Sequence, residues 1–187
     1  MKTIELHKGS LLVSEPNIIG DESFSRSVVL LTEYDENGIV GFILNKPLQF
    51  TLNDLVPEIE LELPVFQGGP VEMDNLYFLH SIPDLIPNSH LIADNIYWGG
   101  GDFQRVHQLI SENKITGDEI KFFLGYSGWH KDQLLQEIKE RSWVIKPNTS
   151  SELILSDEIH GLWKKEMLEL GGSYELWSNA PENPSYN

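Results

Sequence analysis

The stretch SVVLLTEYDENGIVGFIL, residues 27–44, is the strongest indication of the fold in this sequence. Two aliphatic runs, residues 27–32 and 39–44, flank the turn residues 35–38, and an Asn37-Gly38 pair favours the positive φ angles of a hairpin turn. Both runs are almost continuously apolar, which is typical of strands that are covered on both faces. The sequence therefore predicts two antiparallel neighbours near the centre of a sheet.

Further strands and helices surround this hairpin. β-rich runs predict strands at residues 11–13, 64–67, 76–80, 96–98, 119–124 and 142–145. A capping-box pattern predicts one or two helical turns at residues 51–56, and apolar residues at helical spacing after Asp102, Asp132 and Ser156 predict three amphipathic helices. We expect an α+β fold with a mixed, largely antiparallel β-sheet and three to four surrounding helices; a barrel-like sheet is one alternative.

Length and composition indicate one globular domain. The chain has 187 residues and no cysteine, so a disulfide framework, a thiolate zinc site and a cysteine nucleophile are excluded. Its six histidines show no compact ligand spacing, and we expect neither a metal nor a cofactor. Residues 1–177 are predicted to form a single domain, and residues 178–187 a proline-containing tail.

Charge and hydropathy narrow the location and the partners. Lysine and arginine number 13 against 29 aspartate and glutamate residues, which gives a net charge of −16. Such a surface repels phosphate backbones, so direct binding of nucleic acid is not expected. The N-terminus is interrupted by charge, and no apolar run approaches the ~20 residues of a membrane helix. We expect a cytoplasmic protein that does not contact a membrane.

Polar residues at the open end of the hairpin are the first candidate site. Arg26 precedes the first strand and Asn45 follows the second, so antiparallel pairing brings them near each other. Arg26 is suited to a carboxylate or phosphate, and Asn45 offers both a donor and an acceptor. A surface ion pair for Arg26 and a turn-forming hydrogen bond for Asn45 are the structural alternatives.

A second candidate is the segment Gly125-Tyr126-Ser127-Gly128-Trp129, which follows a predicted strand. It resembles a nucleophile elbow, but the second glycine comes one residue too early for Gly-x-Ser-x-Gly. A strand-to-helix connection is the favoured interpretation, and a ligand-binding turn with Tyr126 and Trp129 as walls is the other alternative.

Two glycine-rich segments and two histidines complete the candidates. Gly68-Gly69-Pro70 reads as a tight turn or a phosphate nest, and residues 98–102 read as a helix entry capped by Asp102 or as an anion site. His80 and His130 are the histidines placed best for acid/base chemistry, although each is more typical of a structural or solvated residue.

Several blocks occur together in a characteristic order, namely residues 9–16, 24–31, 41–47, 68–71 and 123–129, with the resemblance continuing through Trp143, Trp163 and residues 181–185. In this the chain resembles the YqgE/AlgH family of bacterial proteins over its whole length. The resemblance implies an α+β fold and no accepted catalytic residue. It also implies that alanine is tolerated at the position of Ser127, and it brings a label of transcriptional regulator derived from one member.

Three functions follow from these residues. The leading hypothesis is a non-enzymatic binding or regulatory domain acting through a small-molecule or protein partner. Its candidate ligand-binding residues gather at one concave face; they are Arg26, Ser27, Asn45, Gly68, Gly69, Pro70, Gly125, Tyr126 and Trp129. The alternative is a hydrolase or group-transfer enzyme acting on an anionic substrate, with Ser127 or His80 as the reactive group. Direct binding of DNA is disfavoured because the basic residues are scattered along the sequence.

Overall fold

The computed structural model describes residues 5–16, 21–99, 103–147, 151–157 and 159–179. Within these residues it has ten strands and six helices, which confirms the predicted α+β class. The strands are β1 (Leu11–Ser14), β2 (Val28–Tyr34), β3 (Ile39–Ile43), β4 (Pro47–Thr51), β5 (Pro64–Gln67), β6 (Val71–His80), β7 (His90–Ala93), β8 (Ile96–Trp98), β9 (Ile120–Trp129) and β10 (Trp143–Lys146). The helices are α1 (Leu52–Leu55), α2 (Phe103–Ser111), α3 (Lys131–Lys139), α4 (Ser151–Leu155), α5 (Leu162–Leu170) and α6 (Ser173–Ser178).

The predicted hairpin is confirmed, because β2 and β3 pair antiparallel up to the Tyr34–Ile39 pair beside the turn. The turn itself is held by a side chain. The Asp35 carboxylate accepts hydrogen bonds from the backbone N–H groups of Asn37 (2.7 Å) and Gly38 (3.2 Å). Within residues 35–38 only Gly38 has a positive φ, so the turn depends on the Asp35 side chain and on Gly38, and not on the Asn37 side chain.

Strand β9 is the centre of the sheet. Its last residues pair antiparallel with β3, its first half pairs parallel with β5, and its other edge pairs antiparallel with β6. The strand order is β10-β1-β2-β3-β9-β6-β8-β7, with β5 attached beside β9 and β4 beside β5. The sheet is therefore mixed and largely antiparallel, as predicted.

The sheet curls but is not closed, so the barrel-like alternative is wrong. Strands β10 and β7 end the order and do not pair with each other. The contact that approaches closure lies just before β1, where Lys8 Nζ donates a hydrogen bond to the Leu91 carbonyl of β7 (2.8 Å). Gly9 passes so close to Ala93 that a Cβ on the glycine would lie 2.8 Å from that of the alanine.

The strands β1 to β3 are covered on both faces, as their apolar runs predict. One core layer contains Leu30 and Phe42 and is closed by Trp163 of α5. The opposite layer contains Leu31 and is closed by Leu134 of α3. A third layer packs α1 and α2 against β5, β6 and the first half of β9. No helix among the described residues has the length and apolar character needed to cross a membrane.

Several elements differ from the sequence-based expectation. Strands β4 and β7 and the short helices α4 and α6 were not predicted, and β9 continues through Trp129. Helix α5 begins at Leu162 and not near Ser156, because Gly161 with φ +81° forms its N-cap. Of the predicted tail, Ser178 ends α6, while residues 180–187 lie outside the described part of the chain.

Candidate functional site

A cleft of about 530 Å³ lies where the open end of the β2–β3 hairpin meets the start of α5. Three cationic side chains, Arg26, Lys46 and Lys164, line it together with one carboxylate, that of Glu22. The protein carries a net charge of −16, so this grouping is a local reversal of its charge. We call this site the basic cleft. Its wall also includes Asn45 and Trp163.

Asn45 fixes the backbone that carries Arg26. Its Oδ1 accepts a hydrogen bond from the Val28 N–H (2.9 Å), and its Nδ2 donates to the Arg26 carbonyl (2.9 Å). Arg26 itself has φ +51°, a left-handed conformation that costs energy for a residue with a side chain. The neighbouring Ser27 is buried, and its Oγ donates to the Phe24 carbonyl (2.8 Å). Asn45 and Ser27 therefore position the arginine through its backbone.

Replacing Asn45 by alanine is expected to lower the free energy of unfolding by about 2–3 kcal/mol. Two partly buried backbone groups lose their partners, and Arg26 keeps its left-handed φ without this support. Urea unfolding followed by circular dichroism measures the change. Asn37→Ala, at an exposed turn residue, is the control and is expected to cost less than about 0.5 kcal/mol. Equal costs for the two variants would contradict the role of Asn45.

Lys46 is anchored beside Arg26 by backbone carbonyls. Its Nζ donates hydrogen bonds to the carbonyls of Glu22 (2.7 Å) and Ser23 (2.6 Å). Burial lowers the pKa of Lys46, and the nearby carboxylates of Asp21 and Glu22 act in the opposite direction. The ammonium is thus held in place at the wall of the cleft and partly removed from water.

The start of α5 adds backbone donors to the cleft. Its N-cap is Gly161, which has no side chain to accept the first helical N–H groups. Among the described residues, the backbone N–H groups of Trp163 and Lys164 donate to no acceptor. Because the positive end of a helix attracts anions, these groups reinforce the three cations.

Helix α5 is held rigidly against the sheet. The Trp163 indole Nε1 donates to the Ser14 carbonyl of β1 (2.8 Å), and the Arg26 guanidinium lies 5.0 Å from the centroid of the Trp163 ring. Lys146 of β10 forms ion pairs with Glu166 and with Glu169 (2.8 Å) of α5. These contacts join α5 to β1 and β10 beside the cleft.

The glycine-rich candidates lie elsewhere and have a structural role here. Gly68 and Gly69 cross the chain at Gly125 and Tyr126 so closely that a Cβ on Gly69 would lie 2.2 Å from the Tyr126 carbonyl carbon. Of the nine predicted site residues, Arg26 and Asn45 line the basic cleft, and the other seven do not. The expected single concave face is therefore divided.

Tyr126 and Trp129 line a second, shallower groove of about 390 Å³ together with Glu33 and Asp35. Trp129 is mostly buried, and its Nε1 donates to Glu137 Oε2 (3.0 Å). The groove is acidic, whereas the first cleft is basic. These two aromatic residues and Arg26 therefore do not face a common ligand.

The geometry does not support the predicted nucleophile elbow. Ser127 lies inside β9, is fully buried, and its Oγ donates to the Gly68 carbonyl (3.0 Å). The expected turn at residues 125–129 is wrong, because the strand runs on to Trp129 and only Gly125, with φ +68°, departs from it. Ser127 has no hydrogen-bonded base among the described residues.

The two histidines singled out from the sequence also lack catalytic geometry. His80 is fully buried, burial lowers its pKa, and its Nδ1 accepts a hydrogen bond from the Ile82 N–H (3.2 Å). His130 is exposed and forms the N-cap of α3. The anion site expected near Asp102 falls on residues 100–102, which lie outside the described residues. No group of three or more potential metal ligands is found in the residues described.

Sequence reasoning missed Lys46, Gly161, Trp163 and Lys164 as members of one site. A local signal was present: Lys164 and Lys165 lie in the first turn of α5, where a helix favours acidic residues. Two lysines at that end, after a glycine N-cap, leave the positive end of the helix without an acidic side chain. The two lysines lie far from Arg26 in the sequence, so the sequence alone does not indicate that Lys164 and Arg26 line the same cleft.

Comparison with known proteins places the chain among relatives of the same length. The model of the AlgH-like family matches residues 11–175. A UPF0301 protein of Bacteroides fragilis is 41% identical over 182 residues, covering 96% of this chain and 91% of that protein. A UPF0301 protein of Cytophaga hutchinsonii is 40% identical over 184 residues, covering 97% of this chain and 100% of that protein.

Solved structures show the same fold at low sequence identity. A crystal structure of a Corynebacterium diphtheriae protein matches with a TM-score of 0.75 at 22% identity, over 96% of this chain and 95% of that one. The solution structure of the AlgH protein from Pseudomonas aeruginosa matches with a TM-score of 0.71 at 20% identity, over 98% of each chain.

Proposed function

The chain belongs to the AlgH-like family, and we propose that it is a binding domain for a small organic anion, a carboxylate or a phosphate, held in the basic cleft. One observation carries this proposal: three cations, against the single carboxylate of Glu22, meet in one cleft of a strongly acidic protein, beside two helix N–H groups that donate to no acceptor among the described residues. Gathering like charges is unfavourable, and an anionic ligand offsets that cost. Arg26 and the helix N–H groups suit the oxygen atoms of the anion.

The rest of the wall suits an organic part of the ligand. Pro47, Ile159 and Leu162 supply apolar surface beside the cations, and the Trp163 ring is already in contact with the Arg26 guanidinium. A site with a few fixed polar groups on an apolar wall is typical of small-molecule recognition. A volume of about 530 Å³ matches a metabolite and not a duplex.

The hydrogen bonds around the cleft favour a binding role over an enzymatic one. Ser25 and His160 both line the cleft, but no hydrogen bond joins them among the described residues. A nucleophile requires a base within hydrogen-bond reach, or through one water. The hydrolase alternative would therefore need groups that the cleft's described residues do not bring together.

The proposal is tested by titrating pyrophosphate and sulfate into the protein by calorimetry at pH 7 and fixed ionic strength. Arg26→Gln is expected to lower the affinity tenfold or more, because it removes a charge-assisted contact of about 1.5–3 kcal/mol. Lys164→Gln, at an exposed side chain, is expected to lower it two- to fivefold. Thermal unfolding of each variant shows whether it remains folded.

Lys165→Gln is the matched control, since Lys165 is the next residue of the same helical turn but does not line the cleft. It removes the same charge and is expected to change the affinity less than twofold. An equal loss in the Lys164 and Lys165 variants would show that net charge alone attracts the anion. Absence of binding to the unaltered protein would refute the proposal. A short DNA duplex is expected not to compete.

A further inference from the structure

Lys121 is a charged residue in the apolar core. It lies on β9 and only 1% of its surface is exposed. Its Nζ donates one hydrogen bond, to the Ser156 carbonyl (2.7 Å), and lies 4.0 Å from the centroid of the Phe66 ring. Leu79 of β6 is its cross-strand partner on the same face. A lysine so enclosed is almost removed from water, and the groups that offset this loss are the Ser156 carbonyl, the Phe66 ring and the nearby carboxylate of Asp157.

The carbonyl that Lys121 holds belongs to the connection between α4 and α5. Three to five residues further along, Ile159, His160 and Gly161 line the basic cleft, and Gly161 is the N-cap of α5. The lysine therefore ties to the central strand the segment that leads directly into the cleft wall. This hydrogen bond is a polar link between β9 and that segment.

The charges around Lys121 set how readily it loses its proton. Burial lowers the pKa of Lys121 to about 7, and the carboxylate of Asp157 opposes this shift. Asp157 has its own pKa raised by burial and by Asp118, while Lys121 lowers it. The strands on either side present Phe66 and Leu79, which do not titrate.

We propose that Lys121 is a latch on the basic cleft: its charged form holds the α4–α5 connection in the conformation that binds an anion, and its neutral form releases the connection. This inference rests on the proposed function, because the cleft is the site that it regulates. A charged donor makes a hydrogen bond roughly twice as strong as a neutral one, and the neutral amine also loses its attraction to Asp157. Binding of an anion and of a proton are then linked, and each strengthens the other.

The latch is tested first without any ligand, by following backbone amide signals of residues 156, 157 and 161 by NMR between pH 5.5 and 9. All proteins carry His160→Asn so that the imidazole in the cleft does not contribute. We expect these amides to titrate with a midpoint near 7. The titration is expected to vanish in Lys121→Met and to move to lower pH in Asp157→Asn, which removes the charge that favours the ammonium.

The coupling is tested with sulfate, whose charge does not change over this pH range. In the His160→Asn background, the affinity for sulfate is expected to fall at least fivefold between pH 6 and pH 8.5. Lys121→Met is expected to show weak affinity that does not vary with pH. Amides that do not titrate, or an affinity that is equal at both pH values, would overturn the latch while the proposed function stands. Failure of sulfate to bind at any pH, in proteins whose amides titrate, would refute the proposed function and the coupling together.

Discussion

Replacing Gly68 by alanine is expected to destabilise the fold by at least about 4 kcal/mol, enough to unfold a large share of the molecules. A Cβ at this position would lie 2.2 Å from the Gly125 carbonyl oxygen and 2.9 Å from Cδ1 of Phe42. Gly68 has no positive φ, so the cost comes from overlap of the added Cβ with the Gly125 backbone and the Phe42 side chain. The measurement is urea unfolding, with the folded fraction read from near-UV circular dichroism.

Gly68 cannot move aside to relieve this overlap. Its N–H donates to the Leu124 carbonyl (2.8 Å), and its own carbonyl accepts from the Ile43 N–H (2.9 Å) and from Ser127 Oγ (3.0 Å). Any shift away from Gly125 therefore lengthens bonds to β3 and β9 at once. The close packing of the Gly68 and Gly125 segments therefore explains why both positions are glycine, without any role for a ligand.

Replacing a glycine by alanine can cost stability through steric overlap of the new Cβ or through strain at a positive φ. Gly99→Ala measures the second cost alone. Gly99 has φ +69°, but among the described residues beyond its chain neighbours no atom lies within 4 Å of a Cβ built on it. Only the left-handed backbone is penalised there, and we expect a loss of about 1–2 kcal/mol. If Gly68→Ala costs no more than Gly99→Ala, the crossing of the two segments is looser than its distances indicate.

Local pattern was sufficient for the elements that are long and apolar. The β2–β3 hairpin, β5 and α2 have a clear period and clear turn residues, and each was predicted. Strands β4 and β7 were not, because Pro47 and His90 open short strands whose exposed and buried residues do not alternate simply. Helix α4 has five residues, too few to show a helical period, and its stability comes from packing on the core.

The candidate site was predicted only in part, because it is made from distant pieces of chain. Arg26 and Asn45 belong to one hairpin, so antiparallel pairing of its strands predicted that they lie close together, and they do. Lys164 lies more than a hundred residues later, and only the packing of α5 on β1 puts it beside them. The segments around Gly68 and Gly125 each resemble a ligand-binding turn when taken alone. In the structure they pack against each other, so the prediction that they bind a ligand was not supported.

Lys121→Met is expected to raise the free energy of unfolding by about 2–4 kcal/mol at pH 7. Lowering the pKa of the lysine from 10.5 to about 7 means that the folded state disfavours the charged form. At 1.36 kcal/mol per unit this burial costs about 5 kcal/mol, and the lost hydrogen bond and aromatic contact offset part of the gain. Methionine fills a similar volume without a charge.

The stabilising effect of Lys121→Met is expected to decrease as the pH rises. Between pH 7 and pH 10.5 the unfolded chain keeps the proton on Lys121 while the folded protein has lost it, so the unaltered protein gains stability as the pH rises. Below pH 7 both states hold the proton and the cost of burial is at its full value. The advantage of Lys121→Met should therefore narrow by about 2 kcal/mol between pH 7 and pH 9, as measured by urea unfolding at each pH.

Lys139→Met provides the matched control, because Lys139 is an exposed lysine at the end of α3. It is expected to change stability by less than about 0.5 kcal/mol at both pH values. A stabilisation by Lys121→Met that stays constant between pH 7 and pH 9 would mean that the folded and unfolded states bind the Lys121 proton equally, so the amine would stay charged over this range and the latch would have no neutral form to release the connection. A stabilised variant whose advantage shrinks as the pH rises would instead mark Lys121 as a residue that costs stability in the charged form, which is the form that holds Ser156 and the wall of the basic cleft.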